Sequence, residues 1–103
     1  MIAVQDVRLD PASRRVWRGD REIRLSRKEF DLLCALMGRA GDIVTRADLM
    51  ADVWQTSFYT NSKTIDVHLG WLRRKLDDNP REPTLITTHR GRGLRFETLT
   101  TDR

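Results

Sequence analysis

One face of a helix predicted between about residue 62 and Pro80 combines cations with apolar side chains. At about 100° per residue, its members are Lys63, Thr64, Val67, Gly70, Trp71 and Arg74. A solvated helix face would carry Glu, Lys and Gln, whereas this face has no carboxylate at its centre. The major groove of double-stranded DNA admits a helix and offers thymine methyl groups and purine acceptors. The pattern therefore favours contact with DNA, and the alternative is that Val67 and Trp71 pack against another part of the protein or a partner domain.

Each residue type on this face has a use in a groove. Lys63 and Arg74 can reach phosphates or guanine edges, and Val67 and Trp71 can contact methyl groups or sugars. Gly70 lowers helix stability by about 0.5–1 kcal/mol relative to alanine. A glycine at this place would allow the helix backbone to approach DNA closely.

A second basic motif follows the helix. Arg90 and Arg92 alternate with Gly91 and Gly93 at the predicted tip of a hairpin. A basic tip suits a narrow minor groove, where A·T-rich sequence deepens the negative potential. The alternative is a solvated turn in which the two glycines serve only the backbone conformation.

The first 25 residues are predicted to form a small antiparallel sheet with one apolar face. Turns are indicated at Asp10-Pro11 and Gly19-Asp20. The apolar positions that alternate with polar residues are Val7, Leu9, Val16, Ile23 and Leu25.

Two helices are predicted before the basic one. Ser26 with Glu29 forms a capping box that begins the first helix, and Gly41 is a plausible end. Thr45 with Asp48 begins the second helix in the same way. The apolar positions of the first helix are Phe30, Leu32, Leu33, Cys34, Leu36 and Met37; those of the second are Leu49, Met50, Val53 and Trp54.

The third helix is predicted to begin near Asn61 or Ser62, with a core stripe of Ile65, Leu69, Leu72 and Leu76. After it, Ile86 and Thr88 lead into the basic turn, and Leu94 and Phe96 lead out of it. The order sheet, helix, helix, loop, helix, hairpin predicts an α+β fold, a winged helix-turn-helix. We expect a single domain over 1–103, with the sheet in 1–25, the three-helix core in 26–79 and the wing hairpin in 84–98.

Charge is distributed unevenly along the chain. The net charge is +4 and the sequence pI is about 10.0. Residues 61–95 hold eight Lys and Arg against four Asp and Glu, whereas residues 1–60 hold ten against nine. A basic pI is typical of nucleic-acid binders, although it also suits an anionic membrane surface or a merely basic soluble domain. An anionic partner is expected on the second half of the chain.

Several function classes find little support. Cys34 is the only cysteine, so no intrachain disulfide can form. The chain has no apolar run of the roughly 18 residues that a membrane span needs and no signal-peptide pattern, so we expect a cytoplasmic protein without membrane contact. His68, His89 and Cys34 are better explained by packing than by catalysis. No catalytic residue, cofactor site or metal site is predicted, and the chain is not expected to be an enzyme.

The motifs resemble those of OmpR/PhoB effector domains over nearly the whole chain. Residues 25–33 (LSRKEFDLL) are similar to the start of that family's first helix, and Trp54 matches the tryptophan that closes the second. Residues 64–69 (TIDVHL) followed by 72–76 (LRRKL) resemble the recognition helix, and residues 86–93 (ITTHRGRG) resemble the wing. The resemblance implies the DNA-binding half of a bacterial two-component response regulator that controls transcription.

The resemblance also implies partners. They are double-stranded promoter DNA, RNA polymerase and an N-terminal receiver domain, with dimers forming on DNA. The receiver is not in this sequence, so we expect the chain to be a fragment. By the same resemblance, RNA polymerase meets the loop between the second and third helices: Gln55, Thr56, Ser57, Phe58, Tyr59, Thr60 and Asn61.

Individual DNA contacts follow from the family's positions. The DNA-facing set is Lys63, Thr64, Val67, Trp71 and Arg73, with Arg90 at the minor groove and Trp54 and Thr88 at phosphates. The pattern of the helix face and the wing adds Gly70, Arg74 and Arg92. The chain departs from the family at Gly70-Trp71, usually basic or polar, at His89, usually hydrophobic, and at Leu94, usually tyrosine. A protein–protein interaction module of winged-helix fold is the competing hypothesis, in which Val67 and Trp71 meet protein.

Overall fold

Short strands at both ends of the chain flank three helices. The computed structural model describes residues 1–55, 63–79 and 81–98. The elements are β1 (Ile2–Val4), β2 (Val7–Asp10), β3 (Arg15–Arg18), β4 (Arg21–Ile23), α1 (Arg27–Met37), β5 (Ile43–Val44), α2 (Arg46–Asp52), α3 (Lys63–Leu76), β6 (Ile86–His89) and β7 (Gly93–Phe96).

The N-terminal strands form an antiparallel sheet in the order β1-β2-β3-β4. Its inward side chains are those of the predicted alternation, since Val7, Leu9, Val16 and Ile23 are all buried. Strand β1 was not predicted. Leu25 was expected in the sheet but follows β4, and its partly buried side chain packs against the core. The sheet thus covers one side of the helices with its apolar face.

Helix α1 begins as predicted but ends earlier. Ser26 Oγ accepts from the Glu29 backbone at 3.3 Å, and Glu29 Oε1 accepts from the Ser26 backbone at 2.9 Å, so the capping box is complete. The expected end at Gly41 is wrong, because the helix ends at Met37 with Gly38 as its cap. Gly41 takes φ +89° and donates its N–H to Phe96 O at 2.8 Å, which ties the chain to the wing sheet.

Helices α2 and α3 carry the predicted apolar stripes. Thr45 Oγ1 accepts from the Asp48 backbone at 3.0 Å and caps α2. Trp54, just beyond α2, is half-buried, and the predicted start of α3 at residue 61 or 62 lies outside the described residues. The buried side chains of α3 are Ile65, Leu69, Leu72 and Leu76, which confirms its core stripe.

The wing belongs to a three-stranded sheet in the order β5-β7-β6. Strand β5, which the sequence did not indicate, pairs Val44 with Leu94. At Gly93 a Cβ atom would lie 2.2 Å from Val44 O, so β5 and β7 approach too closely for any side chain there. Gly91 has φ +74° and supplies the turn. The glycines therefore have different roles, one in strand pairing and one in the turn.

Two further contacts hold the C-terminal end of α3. Asp77 takes φ +61°, and the N–H groups of Asp77 and Asp78 return to the carbonyls of Arg74 and Arg73, the hydrogen-bond pattern of a Schellman motif. From β3, Arg18 Nη1 donates to Leu76 O at 2.5 Å and to Asp77 O at 3.1 Å. The N-terminal sheet thereby satisfies helix carbonyls that would otherwise lack partners.

The segment between α3 and the wing is held by a buried carboxylate. Asp78 is 3% exposed and accepts from the backbone N–H groups of Thr84, Leu85 and Ile86 at 2.9–3.1 Å. The first wing strand is thus fixed relative to the end of α3.

Candidate nucleic-acid interface

The outward face of α3 exposes two large apolar side chains. Val67 is 46% exposed and Trp71 is 45% exposed, while the core stripe on the opposite side is buried. Each side chain therefore leaves close to half of its surface exposed, and an exposed apolar surface of this kind suits contact with a partner molecule. Lys63, Thr64 and Arg74 lie on the same helix, with Lys63 and Arg74 exposed and Thr64 half-buried.

Gly70 lies between these side chains and faces open space. A Cβ atom built there meets no heavy atom within 4 Å. Packing against residues 1–55, 63–79 and 81–98 therefore gives no reason for a glycine in the middle of α3. The open surface at Gly70 would allow another molecule to approach the helix backbone closely.

Two adjacent arginines of α3 have different surroundings. Arg73 Nη2 donates to Ile86 O at 2.8 Å and to Thr88 Oγ1 at 3.1 Å, so its guanidinium joins α3 to wing strand β6. Burial lowers the pKa of Arg73 below its ordinary value, although an arginine remains charged at any physiological pH. Arg74 is exposed and has no side-chain partner among the described residues. Arg73 thus lies close to the predicted face but is engaged within the protein.

The predicted phosphate-contact residue Thr88 shares in this arrangement. Its hydroxyl accepts from Arg73 and is exposed. A hydroxyl that accepts one hydrogen bond still has its own hydrogen to donate. Thr88 can therefore contact a phosphate while it holds Arg73.

The wing tip presents two arginines to solvent. The Arg92 backbone donates to His89 O at 2.8 Å and closes the turn that contains Arg90 and Gly91. Both arginines are exposed, and neither guanidinium has a partner in the described part of the chain. Their charge is therefore available to an external anion.

An aromatic cluster connects the end of α2 with the outward face of α3. The His68 ring lies between Trp54 and Trp71, with centroid separations of 5.2 and 5.1 Å and interplanar angles of 76° and 64°. His68 Nδ1 lies 2.8 Å from Thr64 O. His68 was expected to be a packing residue, and its contact with Trp71 was not predicted, although a spacing of three residues on a helix is a signal for contact.

Two ion pairs hold the helix that presents the face. Arg46 of α2 pairs with Asp66 of α3 at 2.8 Å. Glu29 of α1 is 2% exposed and pairs with Lys75 of α3 at 2.6 Å. Burial by itself would raise the pKa of Glu29, but the hydrogen bonds from Lys75 and Ser26 outweigh it and hold that pKa below its ordinary value. Both pairs fix the position of α3, and Glu29 and Lys75 line the same surface pocket as Trp71.

The loop predicted to meet RNA polymerase lies almost wholly outside the described residues, as Thr56 to Asn61 are not among them. Gln55, its first residue, is exposed with φ +54°.

Two features are absent from the described residues. In those ranges no three His, Cys, Asp or Glu side chains are grouped so that they could hold a metal ion. No helix there is long and apolar enough to cross a membrane.

Residues 20–96 match a protein family described as "Transcriptional regulatory protein, C terminal". The chain belongs to this family. It is the OmpR/PhoB type of domain that the helix and wing motifs indicated. The match includes α1 to α3 and the wing but begins after β3.

Curated relatives extend over most of this chain. It is 48% identical over 91 residues to the transcriptional regulatory protein TcrA of Mycobacterium tuberculosis, which covers 88% of this chain and 36% of TcrA. It is 40% identical over 96 residues to SphR of Synechococcus elongatus, an alkaline phosphatase synthesis transcriptional regulatory protein; 93% of this chain and 37% of SphR are covered. The chain thus spans little more than a third of the length of these relatives.

Solved structures confirm the winged-helix fold. The DNA-binding domain of Klebsiella pneumoniae RstA, solved in complex with the RstA box, superposes with a TM-score of 0.89 at 33% identity; 95% of this chain and 97% of that one are covered. The DNA-binding domain of CpxR from E. coli gives a TM-score of 0.83 at 29% identity, with 94% and 95% covered. The predicted fold class is therefore confirmed.

Proposed function

We propose that this chain binds double-stranded promoter DNA sequence-specifically, with α3 in the major groove and the wing at the adjacent minor groove, as the output domain of a response regulator. The observation that carries the proposal is the outward face of α3. There, exposed Val67 and Trp71 lie beside Arg74, which has no partner among the described residues, and a Cβ atom at Gly70 between them would meet none of those residues within 4 Å. Membership of a family of transcriptional regulators and the likeness to a domain solved with its DNA box support it.

The proposed contacts divide by type. Lys63, Arg74 and the wing arginines Arg90 and Arg92 provide charge for phosphates and groove edges, with Trp54 and Thr88 at further phosphates. Thr64, Val67 and Trp71 contact base edges and methyl groups, and Gly70 allows the helix to lie close to them. Arg73 contributes by holding the wing against α3 through Ile86 and Thr88.

The test is a salt titration of DNA affinity. A duplex is first selected from a random pool with this chain and labelled, and its dissociation constant is measured by fluorescence anisotropy from about 50 to 200 mM salt. If the domain covers about 4–6 phosphates, the logarithm of the association constant should fall with a slope of about −3.6 to −5.4 against the logarithm of salt. Random DNA of equal length serves as the control and should bind more weakly.

An affinity that stays flat across this range, or a selection that returns no preferred sequence, would overturn the proposal. The competing hypothesis, a winged-helix protein-interaction module, uses the same exposed Val67 and Trp71. It predicts that affinity for DNA is weak and that random and selected duplexes bind alike.

In the whole protein we propose three further partners. An N-terminal receiver domain controls the output, two copies bind adjacent half-sites, and RNA polymerase meets the loop from Gln55 to Asn61. Changing Phe58 and Tyr59 to serine should leave DNA affinity intact and lower activated transcription in a reporter strain. Loss of DNA binding together with loss of folding would instead identify these two residues as core.

A further inference from the structure

We propose that His68 is a positioning residue that acts through Trp71 and sets the preference of α3 for thymine-containing sites. The inference rests on the proposed function, because it concerns how the DNA-facing indole is oriented. It adds a residue that lies beside the interface and has no predicted contact with DNA of its own.

The indole of Trp71 is only partly held by its surroundings. Its side chain is 45% exposed and stands at the surface of α3. Immobilising a free side chain on binding lowers affinity by about two- to twelvefold. A contact that orders the indole before DNA arrives would therefore increase affinity, and would do so only for sites that use the ordered orientation.

His68 provides that contact. It precedes Trp71 by nearly one helical turn, and the two rings meet edge-on at 5.1 Å. Aromatic pairs favour such T-shaped geometry over face-to-face stacking. The imidazole therefore favours one tilt of the indole over others.

The orienting ring is itself held from two sides. Nδ1 lies 2.8 Å from Thr64 O, and because a carbonyl only accepts, Nδ1 must carry the hydrogen. On its other side the ring meets Trp54 at 5.2 Å. Contact with both neighbours limits rotation of the imidazole.

The cluster is anchored at the end of α2. Val53 is 3% exposed, and its carbonyl accepts from Lys28 Nζ at 2.7 Å, which fixes the backbone next to Trp54. Lys28 Nζ also lies 6.0 Å from the centre of the Trp54 ring. The orientation of Trp71 is thus tied through His68 to the helix pair rather than to α3 alone.

Thymine specificity follows from what an ordered indole can offer. Its single N–H is only a donor, so it cannot pair with bases as arginine does with guanine. Its ring can cover a thymine methyl group in the major groove. The value of that contact depends on where the ring plane lies, which is what His68 controls.

The experiment is a double-mutant cycle on the selected duplex, with His68→Ala, Trp71→Ala and the double variant. We expect His68→Ala to weaken binding about three- to tenfold, the fold-change of one edge-to-face contact, and to add almost nothing in the Trp71→Ala background. His68→Phe, which keeps an aromatic ring beside both indoles, should retain most of the affinity. Circular dichroism melts of each variant check folding, and His68→Leu replaces His68→Ala if the alanine variant unfolds.

A second readout is specific to orientation. Replacing the contacted thymine by uracil deletes only the methyl group, and the resulting loss in the unmutated protein should shrink in His68→Ala. A merely structural role for His68 would leave that loss unchanged. An equal effect of His68→Ala with and without Trp71, or a His68→Phe variant as weak as His68→Ala, would overturn the inference while leaving salt-dependent DNA binding, and so the proposed function, intact.

Discussion

The N-terminal sheet and the region of α3 and the wing are both rich in arginine, but several sheet arginines pair with carboxylates, whereas the arginines at the outward face of α3 and at the wing tip do not pair within the described ranges. Arg14 meets Asp31 at 2.8 Å, and Arg15 meets Glu22 through two hydrogen bonds of 2.9 Å. On the recognition surface Arg74, Arg90 and Arg92 have no partner among the described residues.

The tryptophans differ in the same way. Trp17 on the sheet has the guanidinium groups of Arg8 and Arg15 at 5.2 and 4.9 Å from its ring centre, whereas Trp71 makes its ring contact in the described part of the chain with the neutral or cationic imidazole of His68 and is 45% exposed. The difference teaches that a count of cations does not locate a binding surface. A better indication is the combination, seen at α3, of exposed large apolar side chains with a cation that has no partner among the described residues.

Among the substitutions that test this comparison, the largest change in DNA affinity is expected at one of the two tryptophans. Trp71→Ala should weaken binding to the selected site by about 1–3 kcal/mol and binding to random DNA much less, because a base contact is lost. Trp17→Ala, the matched control on the sheet, should leave both affinities unchanged. Fluorescence anisotropy with the two duplexes measures this. Equal losses of Trp71→Ala on the two duplexes would make Trp71 a backbone-contact or packing residue.

The neighbours Arg73 and Arg74 separate folding from binding. Arg73→Ala removes two hydrogen bonds to the wing and should lower the free energy of unfolding by about 1–3 kcal/mol. Arg74→Ala should change that free energy by no more than about 0.5 kcal/mol and weaken DNA binding instead. Urea unfolding and anisotropy on the same samples give both quantities. The assignment fails if Arg73→Ala is as stable as the unmutated chain.

At the wing, Arg90→Ala tests the unpaired charge directly. We expect affinity to fall on the order of tenfold, about 1.4 kcal/mol, and the salt slope to become less steep by about 1. The loss should be greater when the flanking DNA is A·T-rich, because the narrow groove deepens the potential. Arg15→Ala on the sheet is the control and should alter neither quantity. Equal losses on A·T-rich and G·C-rich flanks would reduce Arg90 to a phosphate contact.

The smallest expected effect is at Gly70, where stability and binding should move in opposite directions. Gly70→Ala should raise the free energy of unfolding by about 0.5–1 kcal/mol, since the new Cβ meets nothing within 4 Å. The same methyl group should weaken DNA binding if the helix backbone approaches the groove here. A variant that is more stable and binds DNA equally well would show that no close approach occurs at Gly70.

Much of the fold could be predicted because local chemistry determines it. The capping residues Ser26 and Thr45 and the four leucine and isoleucine positions of α3 are patterns that any helix of this kind needs. The end of α1 was mispredicted at Gly41, because a glycine with positive φ also suits a connection whose N–H bonds to Phe96, far along the chain. Strand β5 has only two residues, too few for an alternation to be visible.

The site was predictable in outline and less so in detail. Periodicity alone separates the inward from the outward face of α3, so the exposure of Val67 and Trp71 follows from it. It cannot tell that Arg73 reaches back to Ile86 and Thr88, because those partners are more than ten residues away in sequence. Long side chains choose partners in three dimensions, and that choice decides which arginine is available.

Arg18 has a consequence for how this domain can be shortened. It lies in β3, before residue 20, where the match to the family begins, yet its guanidinium holds Leu76 O and Asp77 O at the end of α3. A fragment cut at the family boundary would keep every proposed DNA contact and lose the clamp on the helix that presents them. The last turn of α3 would then depend on the hydrogen bonds of Asp77 and Asp78 without help from the sheet. The first eighteen residues therefore help to support the proposed recognition helix, although none of them is proposed to contact a base.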